Sequence, residues 1–133
     1  MCYVEEINKY NRYCDEQNKR YPCVPGKFYY GRGPIQITGN GNYGAAGKAI
    51  GFDGLIAPET VAKDPVVSFK TALWFWMTYL HPVMKQGFGA TIQRSNGAFE
   101  CDGQQPDHVQ ARIEYYKDYC DQFGVYPGPN LDC

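Results

Sequence analysis

The clearest periodic pattern in the chain predicts one long helix over residues 64–80. Apolar side chains recur there at i, i+3 and i+4 spacing and so share one helix face: Phe69, Ala72, Leu73, Trp76, Met77 and Leu80. Asp64 is a favourable N-cap, and Pro65 suits the first helical position. We therefore predict that this helix is the central helix of the core, and we assign no cofactor site to its tryptophans.

Weaker patterns predict shorter helices on either side. One covers residues 2–14, with Val4 and Ile7 on its apolar face. Pro58 is predicted to open another helical turn. Three further segments end at a glycine that can stop a helix, namely residues 45–50, 90–96 and 106–123, which precede Gly51, Gly97 and Gly124. The last has an apolar stripe made by Val109, Ile113, Tyr116, Cys120 and Phe123.

Residues 28–44 show no helical period and combine aromatic residues with five glycines. Ile35 and Ile37 alternate with Gln36 and Thr38, which predicts a short half-exposed strand. Polar groups on such a strand, bordered by aromatic rings, suit a groove for a polar ligand with flat faces, such as a sugar. The alternative is a glycine-rich turn region with ordinary core tyrosines.

The same stretch contains a literal GxGxxG, from Gly39 to Gly44, with Glu59 twenty residues beyond Gly39. This spacing is found in dinucleotide-binding domains, where the motif links a buried strand to a helix. Here no second apolar strand is found, and Glu59 follows Pro58 at a helix start. We therefore predict no cofactor.

Composition limits the class of protein. A chain of 133 residues is the size of one domain, so we predict a single domain over residues 1–133. The net charge is −1 with no basic block, which argues against nucleic acid and anionic membranes as partners. The longest apolar run, residues 72–77, is too short to span a bilayer.

The six cysteines predict an oxidising compartment. None lie at CxxC spacing and only two histidines are present, which argues against a structural zinc site. A bridge between Cys14 and Cys23 would fix the loop between them, but spacing alone cannot choose among the possible pairings. Met1 is followed by polar sequence rather than a signal peptide. Either a leader was removed and Met1 is an added start, or the chain is the tail of a longer one.

Some titratable residues have both an ordinary and a functional interpretation. Glu5 and Glu6 fit solvated surface charges, with Glu5 paired to Lys9 at i,i+4. His81 could be a base or a solvated residue at a helix end. Arg112, at the edge of the last helix's apolar stripe, needs a carboxylate partner, for which Glu100 is a candidate.

Several motifs resemble those of one enzyme family. Residues 29–38 (YYGRGPIQIT) are similar to the signature of the plant family 19 chitinases, and so are residues 51–55, 58–66, 69–77, 96–101, 119–125 and 130–133. Residues 2–8 (CYVEEIN) resemble the class IV branch. The resemblance spans essentially the whole chain. It implies a mainly α, lysozyme-like fold that lacks its N-terminal helical part and has a small β element at the cleft.

The resemblance also implies a chemistry and the residues that perform it. The family hydrolyses β-1,4-linked N-acetylglucosamine polymers with inversion, which requires two carboxyl groups about 6.5–9.5 Å apart. It implies Glu6 as the general base and Thr38 as the residue that positions the water. The implied substrate-binding residues are Gln36, Asn42, Asn96 and Tyr30, and the implied supporting network is Glu100 with Arg112. The implied disulfides are Cys14–Cys23 and Cys101–Cys133, with Cys120 unpaired and buried.

The chain also departs from the family pattern. The family's general acid lies in a His-Glu-Thr motif before the cysteine that Cys2 matches, and no counterpart is present. Glu5 is a poor substitute because adjacent helical residues point about 100° apart. Gly39 and Gly41 replace larger residues, usually aromatic or histidine, so a stacking surface is expected to be absent.

We therefore expect a secreted or vacuolar, chitinase-like defence protein that binds chitin oligomers and hydrolyses them weakly or not at all. The alternatives are an active endochitinase that uses an unmatched acid or a dimer partner, and a non-catalytic antifungal protein with an unused cleft. Apolar surface left by the missing helices predicts a homodimer or a repacked N-terminus.

Overall fold

A computed structural model describes residues 4–133, and this part of the chain is mainly helical. Its α-helices are α1 (Asn40–Ile50), α2 (Thr60–Lys63), α3 (Pro65–Phe75), α4 (Phe88–Glu100) and α5 (Pro106–Gln122). A π-helical segment, Trp76–Leu80, and a 3₁₀ helix, His81–Gln86, follow α3. Strand pairing among the described residues is limited to isolated bridges from Arg32 to Glu5 and to Ile37. The mainly α class with a small β element is confirmed.

The chain forms two compact units that divide between Trp76 and Met77. In the first unit, α1 and α2 pack on α3, and the core contains Tyr29, Ile37, Tyr43, Ala46 and Val61. In the second unit, α4 packs on α5 and on the 3₁₀ helix, and the core contains Ile92, Cys101, Val109 and Ile113. A single domain over residues 1–133 stays a prediction.

Helix α3 begins as predicted but buries a different face. The Asp64 carboxylate accepts hydrogen bonds from the amides of Val66 at 2.8 Å and Val67 at 3.1 Å, and Pro65 opens the helix. The predicted core residues Phe69 and Leu73 are 61% and 64% exposed, and Met77 is also exposed. Ser68 and Thr71 are buried instead. The prediction of a central core helix was therefore wrong for Phe69, Leu73 and Met77, whereas Leu80 at the end of the predicted stripe is buried.

The predicted helix over residues 2–14 is also wrong where the structure describes it; residues 1–3 lie outside the described residues. From residue 4 onward the segment is not helical, and its backbone forms hydrogen bonds with the glycine-rich stretch of residues 28–44. The amide of Glu6 donates to the carbonyl of Gly31 at 2.8 Å, and the amide of Gly33 donates to the carbonyl of Val4 at 2.8 Å. These long-range hydrogen bonds override a weak local preference for helix.

The predicted strand at Ile35–Thr38 is a tight turn. Gly33–Gln36 form the turn, and the amides and carbonyls of Arg32 and Ile37 pair across it at 3.0 and 3.3 Å. Gln36 adopts a left-handed backbone with φ 51°, which ends the extended geometry. The alternation still holds in part, because Ile37 is buried and Gln36 is exposed.

Two of the three predicted glycine stops, Gly51 and Gly124, and both implied disulfides agree with the structure. Gly51 ends α1 in a left-handed conformation with φ 94°, and Gly124 follows α5 with φ 64°. Cys14 pairs with Cys23 and Cys101 with Cys133, whereas Cys120 is free and buried, as the resemblance implied. The predicted helix over 90–96 instead continues to Glu100, with a kink at Asn96.

No helix within residues 4–133 has the length and apolarity that crossing a membrane requires.

Candidate active site

Glu6 is held firmly by the first unit. Its Oε1 accepts a hydrogen bond from the Tyr13 hydroxyl at 2.8 Å, and its Oε2 accepts one from the Gly31 amide at 3.0 Å. The backbone amide of Glu6 donates in turn to the Gly31 carbonyl. Both carboxylate oxygens are therefore anchored by neutral donors. A carboxylate has about four acceptor positions, so further positions remain for a water or a ligand.

Gln36 lies beside this carboxylate. A Cβ built on Gly31 would lie 2.8 Å from Gln36 Oε1 and 3.4 Å from Glu6 Oε2, so both oxygens face the same small space. Gln36 is fixed by a hydrogen bond from its Nε2 to the Gly33 carbonyl at 2.9 Å. Gly31 is needed here because any side chain would intrude between these two groups.

Thr38 and Asn42 continue the same surface. The Thr38 hydroxyl donates to the Gln36 carbonyl at 2.9 Å, and Asn42 Nδ2 donates to the Thr38 carbonyl at 2.9 Å. The structure thus brings Gln36, Thr38 and Asn42 together through local hydrogen bonds, with Gln36 next to Glu6. Their roles in positioning water and binding sugar stay predictions.

Glu5 belongs to a different cluster. It accepts from Arg32 Nε at 3.2 Å and forms an ion pair with Lys9, as the i,i+4 spacing predicted. These hydrogen bonds, from Lys9 above all, lower the pKa of the Glu5 carboxyl. A general acid must hold its proton at working pH, so this environment disfavours Glu5 as a general acid.

Tyr30 is part of the Glu5 cluster. The Arg32 guanidinium lies over the Tyr30 ring, 3.8 Å from the ring centre, and the Tyr30 hydroxyl donates to Glu5 at 3.4 Å. Together with Phe28, Lys27 and Lys63 it lines an open cavity of about 420 Å³. Glu6 and Gln36 do not line that cavity. The contacts of Tyr30 therefore do not join it to the Glu6 group, and its substrate role stays a prediction.

The second unit contains the implied charged network. Arg112 binds Glu100 in a bidentate manner, Nε to Oε2 at 2.6 Å and Nη2 to Oε1 at 2.8 Å. Asn96 Nδ2 donates to Glu100 Oε1 at 2.6 Å from the kink in α4, where its own backbone is non-helical. Glu100 is only 4% exposed, and its hydrogen bond with Arg112 lowers the pKa of its carboxyl. The pairing of Arg112 with Glu100 is as the sequence predicted.

Sequence reasoning missed Tyr13. In the wrongly predicted helix over residues 2–14, Glu6 and Tyr13 are seven residues apart. That spacing gives no reason to expect a hydrogen bond between their side chains. The actual segment is non-helical, and Tyr13 has a left-handed backbone with φ 47°. No signal in the sequence distinguishes this tyrosine from the other eleven. Among the described residues, no group of three or more His, Cys, Asp or Glu side chains could hold a metal ion.

Comparison with known proteins places these residues in context. The family described as chitinase class I, glycoside hydrolase family 19, matches residues 1–85 and 80–133. Chitinase 4 of Oryza sativa is 66% identical over the whole chain, and endochitinase EP3 of Arabidopsis thaliana is 64% identical. The chain covers 47% and 49% of these two proteins, so it spans about half the length of the curated relatives it matches.

Solved structures show the same fold. A class IV family 19 chitinase from Zea mays superposes with a TM-score of 0.95 at 59% identity, over 99% of this chain and 65% of that one. Chitinase C from Streptomyces griseus gives a TM-score of 0.90 at 42% identity, over 98% of this chain and 68% of that one. With the family match extending over the full sequence, the chain belongs to glycoside hydrolase family 19, the family of the class I chitinases.

Proposed function

We propose that this chain binds chitin oligosaccharides through the surface around Glu6 and that its hydrolytic activity is weak or absent. The observation that carries the proposal is the Glu6 carboxylate, anchored at both oxygens and placed beside Gln36. An inverting glycosidase needs such an oriented carboxylate to activate water. The endochitinase relatives support chitin as the ligand.

The contacts of four other carboxylates in the first unit support the proposal of weak hydrolysis. In the first unit Glu5 and Glu59 pair with cations, and hydrogen bonding lowers the pKa of both. Asp53 and Asp64 accept hydrogen bonds from backbone amides in a turn and at a helix start. None of these four is arranged as a proton donor. The loss of a positioned general acid costs roughly 10²–10⁴-fold in rate.

The experiment is a paired measurement on one preparation. Titration with N-acetylglucosamine tetramer, followed by NMR, is expected to show saturable shifts at Gly31, Gln36 and Thr38, and Gln36→Ala is expected to weaken binding. A reducing-end assay at high protein concentration is expected to give at most about a hundredth of the turnover of a complete family 19 chitinase. Turnover equal to that enzyme would overturn the weak-hydrolysis proposal, and no saturable shift would overturn binding.

Two alternatives predict different results. An active endochitinase would lose activity in Glu6→Gln and, if the acid is Glu5, in Glu5→Gln; the ion pairs of Glu5 argue against that acid. A non-catalytic antifungal protein with an unused cleft would bind no tetramer and would still inhibit fungal growth.

We also propose self-association and an oxidising location. The exposed apolar face of α3, formed by Val66, Phe69 and Leu73 and continued by Trp76 in the π-helical segment, supports a homodimer. The two disulfides support a secreted or vacuolar protein. Sedimentation tests the first proposal, and the distribution of the protein between cell fractions tests the second.

A further inference from the structure

We propose that Tyr13 is the positioning residue of Glu6, which fixes the plane of the carboxylate together with the Gly31 amide. This inference rests on the proposed role of Glu6 as the base. Tyr13 and Gly31 bind opposite oxygens of the carboxylate, at 2.8 and 3.0 Å. A carboxylate bound at one oxygen can still swing about its terminal torsion, which is broad. Two donors on opposite oxygens remove that freedom.

The backbone around Tyr13 is built to hold its ring in place. Tyr13 itself has φ 47°, a conformation rare for a residue with a side chain, and its amide donates to Asn11 Oδ1 at 3.0 Å. On one side, the carbonyl of Arg12 accepts from the Tyr29 amide at 2.9 Å. On the other side, Cys14 is tied to Cys23. A strained residue between two fixed points is typical of functional sites.

The next residues strengthen this anchoring. Asp15 exchanges two hydrogen bonds with the buried Asn40, from the Asp15 amide to Oδ1 at 2.8 Å and from Nδ2 to the Asp15 carbonyl at 3.0 Å. The Tyr13 ring packs against the core of the first unit. The phenol can therefore reach Glu6 with little loss of side-chain freedom, and it is fixed before any ligand arrives.

The carboxylate of Glu6 affects the pKa of the Tyr13 hydroxyl. The hydrogen bond with Glu6 raises the pKa of the Tyr13 hydroxyl, because deprotonation would place two negative groups in contact. This gives a direct readout that does not depend on hydrolysis. In Glu6→Gln the pKa of Tyr13 is expected to fall toward the ordinary value of about 10. The measurement is an NMR titration of protein labelled at the tyrosine Cζ, with the Tyr13 signal identified by its loss in Tyr13→Phe.

The positioning role itself is tested by Tyr13→Phe, which keeps the ring and removes the hydroxyl. We expect the Gly31 amide to exchange with solvent at least about tenfold faster, a loss of roughly 1.4 kcal/mol at that bond, while amides within α1 keep their rates. Tyr10→Phe is the matched control, because the Tyr10 ring is 92% exposed. A purely structural tyrosine would change the melting temperature and α1 exchange together with Gly31.

The outcomes separate the two proposals. If the Tyr13 pKa is the same in Glu6→Gln, or if Gly31 exchange is the same in Tyr13→Phe, Tyr13 does not position Glu6. If both change as expected and N-acetylglucosamine tetramer gives no saturable shift, the positioning holds and the proposed function fails. If tetramer hydrolysis is detectable, Tyr13→Phe is expected to lower kcat about tenfold with KM within twofold; equal kcat would overturn the proposal.

Discussion

The pair of Glu100 and Arg112 makes stability depend on pH in a definite direction. Its hydrogen bond with Arg112 lowers the pKa of Glu100 below the ordinary glutamate value of about 4.3. In the unfolded chain Glu100 binds a proton more readily than in the folded protein. The stabilisation is therefore complete above about pH 4.3 and is lost as the pH falls through the lower, folded-state pKa. Urea unfolding between pH 7 and pH 3 measures this loss.

Arg112→Ala is expected to destabilise the protein by about 2–3 kcal/mol at pH 7, because it leaves a carboxylate that is 4% exposed without its cation. This expected loss is smaller than that for breaking a fully buried ion pair, because the Arg112 side chain is 47% exposed. The control is Arg112→Ala combined with Glu100→Gln, which removes the charge and is expected to recover part of the loss. Equal losses in the single and double variants would contradict this account.

Gly41 offers a test of the prediction that a stacking surface for sugar is absent. It lies in α1, and a Cβ there would meet only Asn18 Nδ2, the end of a side chain. Gly41→Tyr is therefore expected to fold and to tighten binding of N-acetylglucosamine tetramer about fivefold, roughly 1 kcal/mol, through the added aromatic face. Calorimetric titration measures it. Gly41→Ala adds helix propensity without a ring and is expected to leave affinity unchanged; an equal gain in both variants would contradict stacking.

At the scale of elements, local signals predicted helix ends well and buried faces poorly. Asp64, Pro65, Gly51 and Gly124 act as the sequence indicates because a cap depends on neighbouring residues only. The apolar stripe of α3 shows that one face is apolar, but it cannot show what covers that face. The segment before Tyr13 was mispredicted because its partners lie about 25 residues away along the chain. The turn at Gln36 is closed by nearby residues, and it was mispredicted because Gln36 adopts a left-handed backbone that the alternating pattern does not indicate.

The cap of α3 gives a direct prediction for this element. Asp64→Ala removes a carboxylate that accepts from two amides, at 2.8 and 3.1 Å. We expect a loss of about 1 kcal/mol in the free energy of unfolding, measured by urea denaturation. Asp64→Asn keeps an acceptor and is the matched control, expected to lose at most about half as much. Equal losses would mean that charge, and not the capping bond, is what matters there.

The exposed face of α3 predicts behaviour in solution. Val66 is 59% exposed beside Phe69 and Leu73, so these side chains contribute little to the stability of a monomer. We expect Phe69→Ser with Leu73→Ser to reduce self-association in sedimentation and to reduce binding of a hydrophobic dye, with the midpoint of urea unfolding at low concentration nearly unchanged. Phe99→Ser is a control on another exposed ring. A large fall in the midpoint at low concentration would contradict the exposure of this face.

At the scale of the whole molecule, family and local geometry are established on different grounds. The family is shown over the full chain because its motifs are contiguous stretches of sequence. The proximity of Gln36, Thr38 and Asn42 could be predicted because they lie within seven residues of one another, whereas their roles toward a ligand stay predictions. The contact of Tyr13 with Glu6 could not, since it depends on a left-handed residue and on a disulfide loop that lies outside the motif.

The two disulfides test whether the chain unfolds as one domain. Cys101–Cys133 spans a sequence separation of 32, whereas Cys14–Cys23 spans 9. In the chain-entropy account, the longer loop contributes about 4 kcal/mol and the shorter about 3. We therefore expect alanine replacement of Cys101 and Cys133 to lower the urea midpoint more than the same replacement of Cys14 and Cys23. Because 133 residues is the size of one domain, amides of α1 and α5 are expected to lose protection at a common midpoint in each variant. Separate midpoints, each responding to the disulfide of its own unit, would show two domains that divide between Trp76 and Met77.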